Sequence, residues 1–143
     1  DELGHGWKYE PECLAQPTLG QYLPDFVITN VLDLWADKIR DVYVEVKPGT
    51  WIDNIGGAEE AFDECIRMRR IVESTYPESL FMLAMDGANA YRTEFLHAFD
   101  KVDGVRSVCS ARWILLSDRS PVLMPHFTDA PLPWRGEWWK GVV

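Results

Sequence analysis

Hydrophobic and polar residues follow two different periods along the chain. Residues 41–47 alternate strictly, with three valines between polar or aromatic residues, and this pattern predicts a strand. From Ala58 to Thr75 the period becomes helical, since Phe62, Cys65 and Val72 fall on one stripe and most charges on the opposite side. The middle of the chain is therefore predicted to run from a strand into an amphipathic helix.

Shorter patterns surround these two elements. Segment 30–40 fits either a hairpin arm or a helical turn. The further predictions are strands at 21–29, 80–85 and 111–116 and a short helix at 91–99. This order predicts an α/β fold, a mixed central β-sheet flanked by helices. We expect one domain over residues 1–120 and an irregular tail, rich in proline and tryptophan, over 121–143 that packs on the domain or a partner.

Composition narrows the class of protein. The chain has 143 residues, 47% of them hydrophobic, which is enough for a core and excludes a disordered or rod-like chain. No apolar run reaches the roughly 20 residues that span a bilayer, and no signal peptide is visible, so we expect an intracellular protein without membrane contact. Its three cysteines are scattered, which indicates free, mostly buried thiols rather than disulfides or a zinc site.

The net charge of −9 weakens long-range attraction to nucleic acid. Part of that acidity has a pattern typical of a cation site. Asp25 lies at the entry to one predicted strand, and Glu45 and Lys47 lie at the end of the next. Two carboxylates with a backbone carbonyl suit Mg²⁺ or Mn²⁺, and a neighbouring lysine suits a water or a phosphate oxygen. The competing interpretation is a solvated strand face with a local ion pair.

Three stretches together resemble the PD-(D/E)XK nuclease superfamily, in particular small phage and bacterial members similar to resolvases or transposon endonucleases. They are Trp-Lys-Tyr-Glu-Pro-Glu at 7–12, Tyr-Leu-Pro-Asp-Phe at 22–26 and Val-Glu-Val-Lys-Pro at 44–48. The resemblance implies a restriction-endonuclease-like core and a Mg²⁺-dependent deoxyribonuclease, with Mn²⁺ as the alternative ion. It also implies that Asp25, Glu45 and Lys47 are catalytic, with Asp25 and Glu45 as the metal ligands.

The same resemblance implies DNA as a partner, a bacterial cytoplasm or phage-infected cell as the location, and possible pairing with a second copy or a phage or mobile-element protein. Members of the family usually carry one more glutamate on a helix before the first of these stretches. That position would precede residue 1, so either the chain is a fragment, or Glu2 or Glu10 substitutes, or the site is degenerate. A degenerate site would make the protein a catalytically inactive interaction or structural module.

Three arginines on the predicted helix are candidates for DNA contact. Arg67, Arg69 and Arg70 follow the motif strand closely, and arginine binds phosphate groups through paired N–H donors. The alternative is an ordinary solvated helix face.

Overall fold

The computed structural model describes residues 7–33, 38–48, 50–86, 93–102, 105–115 and 121–126. Its strands are β1 (Trp7–Tyr9), β2 (Leu14–Gln16), β3 (Gly20–Tyr22), β4 (Phe26–Asp33), β5 (Lys38–Lys47), β6 (Leu80–Asp86), β7 (Thr93–Val102), β8 (Val105–Leu115) and β9 (Pro121–His126). Its helices are α1 (Trp51–Ile55) and α2 (Ala58–Thr75). Neither of them is long and apolar enough to cross a bilayer.

Within these residues, a seven-stranded mixed sheet has the order β1-β4-β5-β6-β7-β8-β9, and β2 and β3 form a separate hairpin. Strand β9 also pairs in parallel with Leu32 and Asp33 of β4. Strands β5 and β6 are parallel, and α1 and α2 supply the long connection that parallel neighbours require. The protein is thus a mixed α/β protein with few helices.

The sheet buries side chains on both faces. Helix α2 covers one face with its apolar stripe, and the resulting helix-side core includes Val27, Tyr43 and Phe81 from the strands. A second core on the opposite face contains Val31, Val42, Val44, Leu80, Met82 and Ala84. Burying each large aliphatic or aromatic side chain contributes about 1.5–3 kcal/mol, so both layers stabilise the sheet substantially.

Strand β4 changes face partway along its length. Ile28 is opposite Val42, but Val31 is opposite Arg40, so β4 has one residue more than β5 between these pairs. This is a β-bulge, and Asn30 takes a left-handed conformation there with a φ of 57°. Val27 consequently joins the helix-side core, whereas Val31 joins the second core.

The strongest sequence patterns are confirmed. The alternating segment lies within β5, the helix spans Ala58–Thr75 as predicted, and β6 covers the predicted strand at 80–85. The ambiguous segment 30–40 is a hairpin arm where it is described, because the ends of β4 and β5 pair antiparallel.

Two predictions are wrong. The segment predicted as a helix at 91–99 forms most of β7, where residues 93–102 pair with β6 on one side and β8 on the other. Its apolar positions fit either period, and pairing with two neighbours decides in favour of a strand. Residues 121–126 form β9 rather than irregular structure, and the remaining tail, 127–143, lies outside the described residues.

Candidate functional site

The β4–β5 pairing brings the three motif residues together. Phe26 is opposite Val44, so Asp25, one residue earlier, continues this register toward Glu45. The backbone N–H of Val46 donates a hydrogen bond of 2.8 Å to Oδ2 of Asp25. Lys47 places Nζ 3.4 Å from Oε1 of Glu45. Two carboxylates and one ammonium group therefore meet at the end of β5.

Glu45 lies inside the protein rather than on a solvated strand face. It is 6% exposed, because it follows Tyr43 on the face of β5 that α2 covers. Burial raises the pKa of Glu45, and the nearby Asp25 raises it further, whereas Tyr22 and Lys47 lower it. Its Oε2 atom is buried and forms no hydrogen bond with the described residues.

Lys47 is held between an acid and an aromatic ring. Its Nζ lies 5.5 Å from the centre of the Trp51 ring, within the range of a cation–π interaction. Trp51 is the first residue of α1, which begins soon after β5 ends. The ammonium group is thus directed toward Glu45 while about 29% of the side chain stays exposed. A solvent molecule or a ligand can reach it there.

Tyr22 belongs to the same site, although sequence patterns assign it no role. It ends β3, is 6% exposed, and packs edge-on against Phe81 with ring centres 6.1 Å apart. Burial and the nearby Glu45 raise the pKa of its hydroxyl strongly. The sequence could have indicated this, because Tyr22 lies only three residues before Asp25 and a short turn brings the side chains on its two sides close together.

Cys65 lies in the helix-side core near this site. It is fully buried, and burial raises the pKa of its thiol well above the ordinary value, so it is a poor nucleophile. Cys65 is buried, as expected for free thiols that are mostly buried, and Cys13 is exposed.

A divalent cation would find two carboxylate ligands here. No group of three or more His, Cys, Asp or Glu side chains suited to a metal occurs in the described part of the chain. Asp25 and Glu45 nevertheless fit a hard cation, because one buried oxygen of Glu45 has no hydrogen-bond partner among the described residues and oxygen is the donor that Mg²⁺ prefers.

Glu10 is the described candidate for a substitute acid. Its backbone N–H donates a 2.8 Å hydrogen bond to the carbonyl oxygen of Asp25, so the two residues are neighbours. Its side chain is exposed, and its φ of 45° turns the chain just after β1. Glu2, the other candidate, lies outside the described residues.

The three candidate arginines occupy different environments. Arg67 hydrogen-bonds to the carbonyl oxygens of Leu19 and Gln21, at 3.0 and 3.1 Å, and pairs with Glu64. Arg69 is 4% exposed and forms an ion pair with Glu73.

Arg70 is partly buried beside an open cavity of about 470 Å³ between α2 and the β2–β3 hairpin. The internal contacts of Arg67 and Arg69 favour a structural role for both, and Arg70 is the member of the three that lines a cavity.

Comparison of the chain with known proteins found no relative. No family model matches the chain, and neither a curated protein nor a solved structure is similar to it.

Proposed function

We propose that the protein is a metal-dependent nuclease that hydrolyses DNA phosphodiester bonds with Mg²⁺ or Mn²⁺. The observation that supports this most is the meeting of Asp25, Glu45 and Lys47 at the end of one hairpin. Within the described part of the chain, one buried oxygen of Glu45 has no hydrogen-bond partner. The strand–helix–strand unit β5-α2-β6 is compatible with a restriction-endonuclease-like core.

Each residue has a separate task in this proposal. The Val46 N–H fixes one oxygen of Asp25 and thereby orients the carboxylate beside Glu45. Together the two carboxylates hold the cation, which would stabilise the charge that develops on the phosphodiester oxygens. Lys47, directed by Glu45 and Trp51, holds the attacking water or a phosphate oxygen.

Cleavage of duplex DNA with Mg²⁺ or Mn²⁺, and its loss on chelation, tests the proposal. Asp25→Asn and Lys47→Ala should each abolish cleavage while the variants remain folded, which a cooperative melting transition will verify. Matched controls are Asp53→Asn and Lys8→Ala, which alter exposed residues of the same types and should cleave normally. Normal cleavage by either site variant would remove that residue from the mechanism.

An inactive interaction module is the second candidate. The inward contacts of Arg67 and Arg69, together with the charge of −9, favour it because they leave few cations for a phosphate backbone. An active nuclease should bind DNA with a shallow salt dependence, since each neutralised phosphate contributes a slope of about 0.9. A melting temperature independent of Mn²⁺, with no DNA binding, would support the module instead.

A further inference from the structure

Two buried oxygen atoms in the site lack hydrogen-bond partners. They are the hydroxyl of Tyr22 and Oε2 of Glu45, and neither forms a hydrogen bond of normal geometry with the described residues. A buried polar atom without a partner destabilises a fold, so such atoms usually mark a site that a ligand completes. The two groups are neighbours, because Tyr22 packs on Phe81, Phe81 pairs with Tyr43, and Glu45 lies two residues beyond Tyr43 on the same face of β5. Each group also shifts the pKa of the other.

The position of Tyr22 is fixed by its surroundings. Its ring packs edge-on against Phe81 in the helix-side core. The hairpin that carries it is attached to α2, because the Arg67 guanidinium binds the carbonyl oxygens of Leu19 and Gln21 on either side of the turn into β3. The hydroxyl therefore stays inside the protein, next to the carboxylate of Glu45.

A phenol hydroxyl beside a carboxylate that binds a cation can hold that carboxylate in place by a hydrogen bond. A carboxylate that binds a cation through one oxygen keeps a second oxygen that is free to rotate away unless another group holds it. A phenol hydroxyl carries a proton, whereas a carboxylate that binds a cation is ionised and carries none. The hydroxyl is thus the donor and the carboxylate the acceptor.

We propose that Tyr22 is a positioning residue for the cation site, donating its hydroxyl to Oε1 of Glu45, which also faces Lys47, while Oε2 binds the cation. This inference rests on the proposed function, because it assigns Tyr22 to the same site. It gives the buried hydroxyl of Tyr22 a function beside the buried carboxylate of Glu45.

The test compares Tyr22→Phe with Tyr43→Phe. Both variants keep the aromatic ring and remove one buried hydroxyl from the helix-side core, but Tyr43 stacks on Tyr76, with ring centres 5.7 Å apart, and its hydroxyl interacts with Tyr76 rather than Glu45. The dissociation constant for Mn²⁺ is measured by electron paramagnetic resonance of the free ion, and melting temperatures verify that both variants are folded.

Loss of a partner to a metal ligand typically weakens metal binding 10- to 100-fold, so Tyr22→Phe should raise the dissociation constant for Mn²⁺ by about tenfold or more. Tyr43→Phe should leave it unchanged. Equal Mn²⁺ affinity in Tyr22→Phe and the wild type would overturn the role of Tyr22 and leave the nuclease proposal intact. A wild-type protein that binds no Mn²⁺ would overturn both.

Discussion

Replacing Arg67 with alanine separates a structural role from a role in DNA binding. The guanidinium forms hydrogen bonds to two backbone carbonyls of the β2–β3 hairpin, at 3.0 and 3.1 Å, and binds Glu64 through two nitrogens. A residue that only contacts DNA would leave the free energy of unfolding almost unchanged when it is removed. A residue that fastens a hairpin to a helix would not.

The expected loss follows from these contacts. A hydrogen bond to a charged group contributes about 1.5–3 kcal/mol, but the Arg67 side chain is 32% exposed and solvent weakens its contribution. The pair with Glu64 lies one turn along the helix and adds about 0.3–0.5 kcal/mol. We therefore expect Arg67→Ala to lower the free energy of unfolding by about 2 kcal/mol and Arg67→Lys, which retains the charge, by about half as much.

Urea denaturation followed by tryptophan fluorescence measures this loss. Lys38→Ala is the control, because its ion pair with Glu78 is exposed and should contribute less than about 1 kcal/mol. If Arg67→Ala were as stable as the wild type and bound DNA less tightly, the hairpin contacts would be unimportant and Arg67 would belong to the DNA surface.

Three more predictions concern buried groups. Glu45→Gln should stabilise the cation-free protein at neutral pH, because burial raises the pKa of Glu45 and so makes its charged form unfavourable. This gain in stability should shrink as the pH falls through the raised pKa toward about 4.3, the ordinary pKa of a glutamate. Melting temperatures measured in chelator at several pH values will show it. Asp33→Ala should lower the free energy of unfolding, measured by urea denaturation, by about 3–5 kcal/mol, because it removes the carboxylate whose Oδ2 lies 3.2 Å from Nη1 of the buried Arg40. Replacing both residues with apolar ones should lower it less. An alkylating reagent should label Cys13 in the native protein and Cys65 only after unfolding, as peptide mass spectrometry would reveal; equal labelling rates would mean that the core under α2 opens readily.

Local pattern was sufficient where one period was clear. The helix at Ala58–Thr75 and the strand containing Glu45 each combine a regular period with suitable residues, so their local preference and their packing agree. The register that brings Asp25 to Glu45 also follows from the order of two hydrophobic strands in one hairpin.

Sequence patterns failed where partners distant in the chain decide the outcome. Residues 93–99, predicted as part of a helix, form a strand because β6 and β8 pair with them, and the period of the segment itself does not reveal these two neighbours. The density of prolines argued against a strand at β9. Pro121 is nevertheless tolerated because it begins the strand, and Pro125 because it lies beyond the two residues that pair with β4.

The functions of arginine and tyrosine side chains were equally hidden from the pattern. A helical wheel places Arg67 on the polar side of α2, but it cannot show that Arg67 donates hydrogen bonds to backbone carbonyls of the β2–β3 hairpin. No sequence pattern distinguished Tyr22 from other aromatic residues of a strand, because its hydroxyl interacts with Glu45, which lies 23 positions later on another strand.

The bulge in β4 determines how the hairpin tolerates changes in length. Before it, odd-numbered residues such as Val27 face α2, and after it odd-numbered residues such as Val31 and Asp33 face away. Losing one residue at Asn30 would remove the bulge but leave Ile28 opposite Val42 and Val31 opposite Arg40, so both halves of the strand would keep their layers. Losing a residue from the regular part between Val31 and Asp33 would instead turn Asp33 to the opposite face, away from Arg40, so β4 can be shortened at Asn30 with less damage than beyond it.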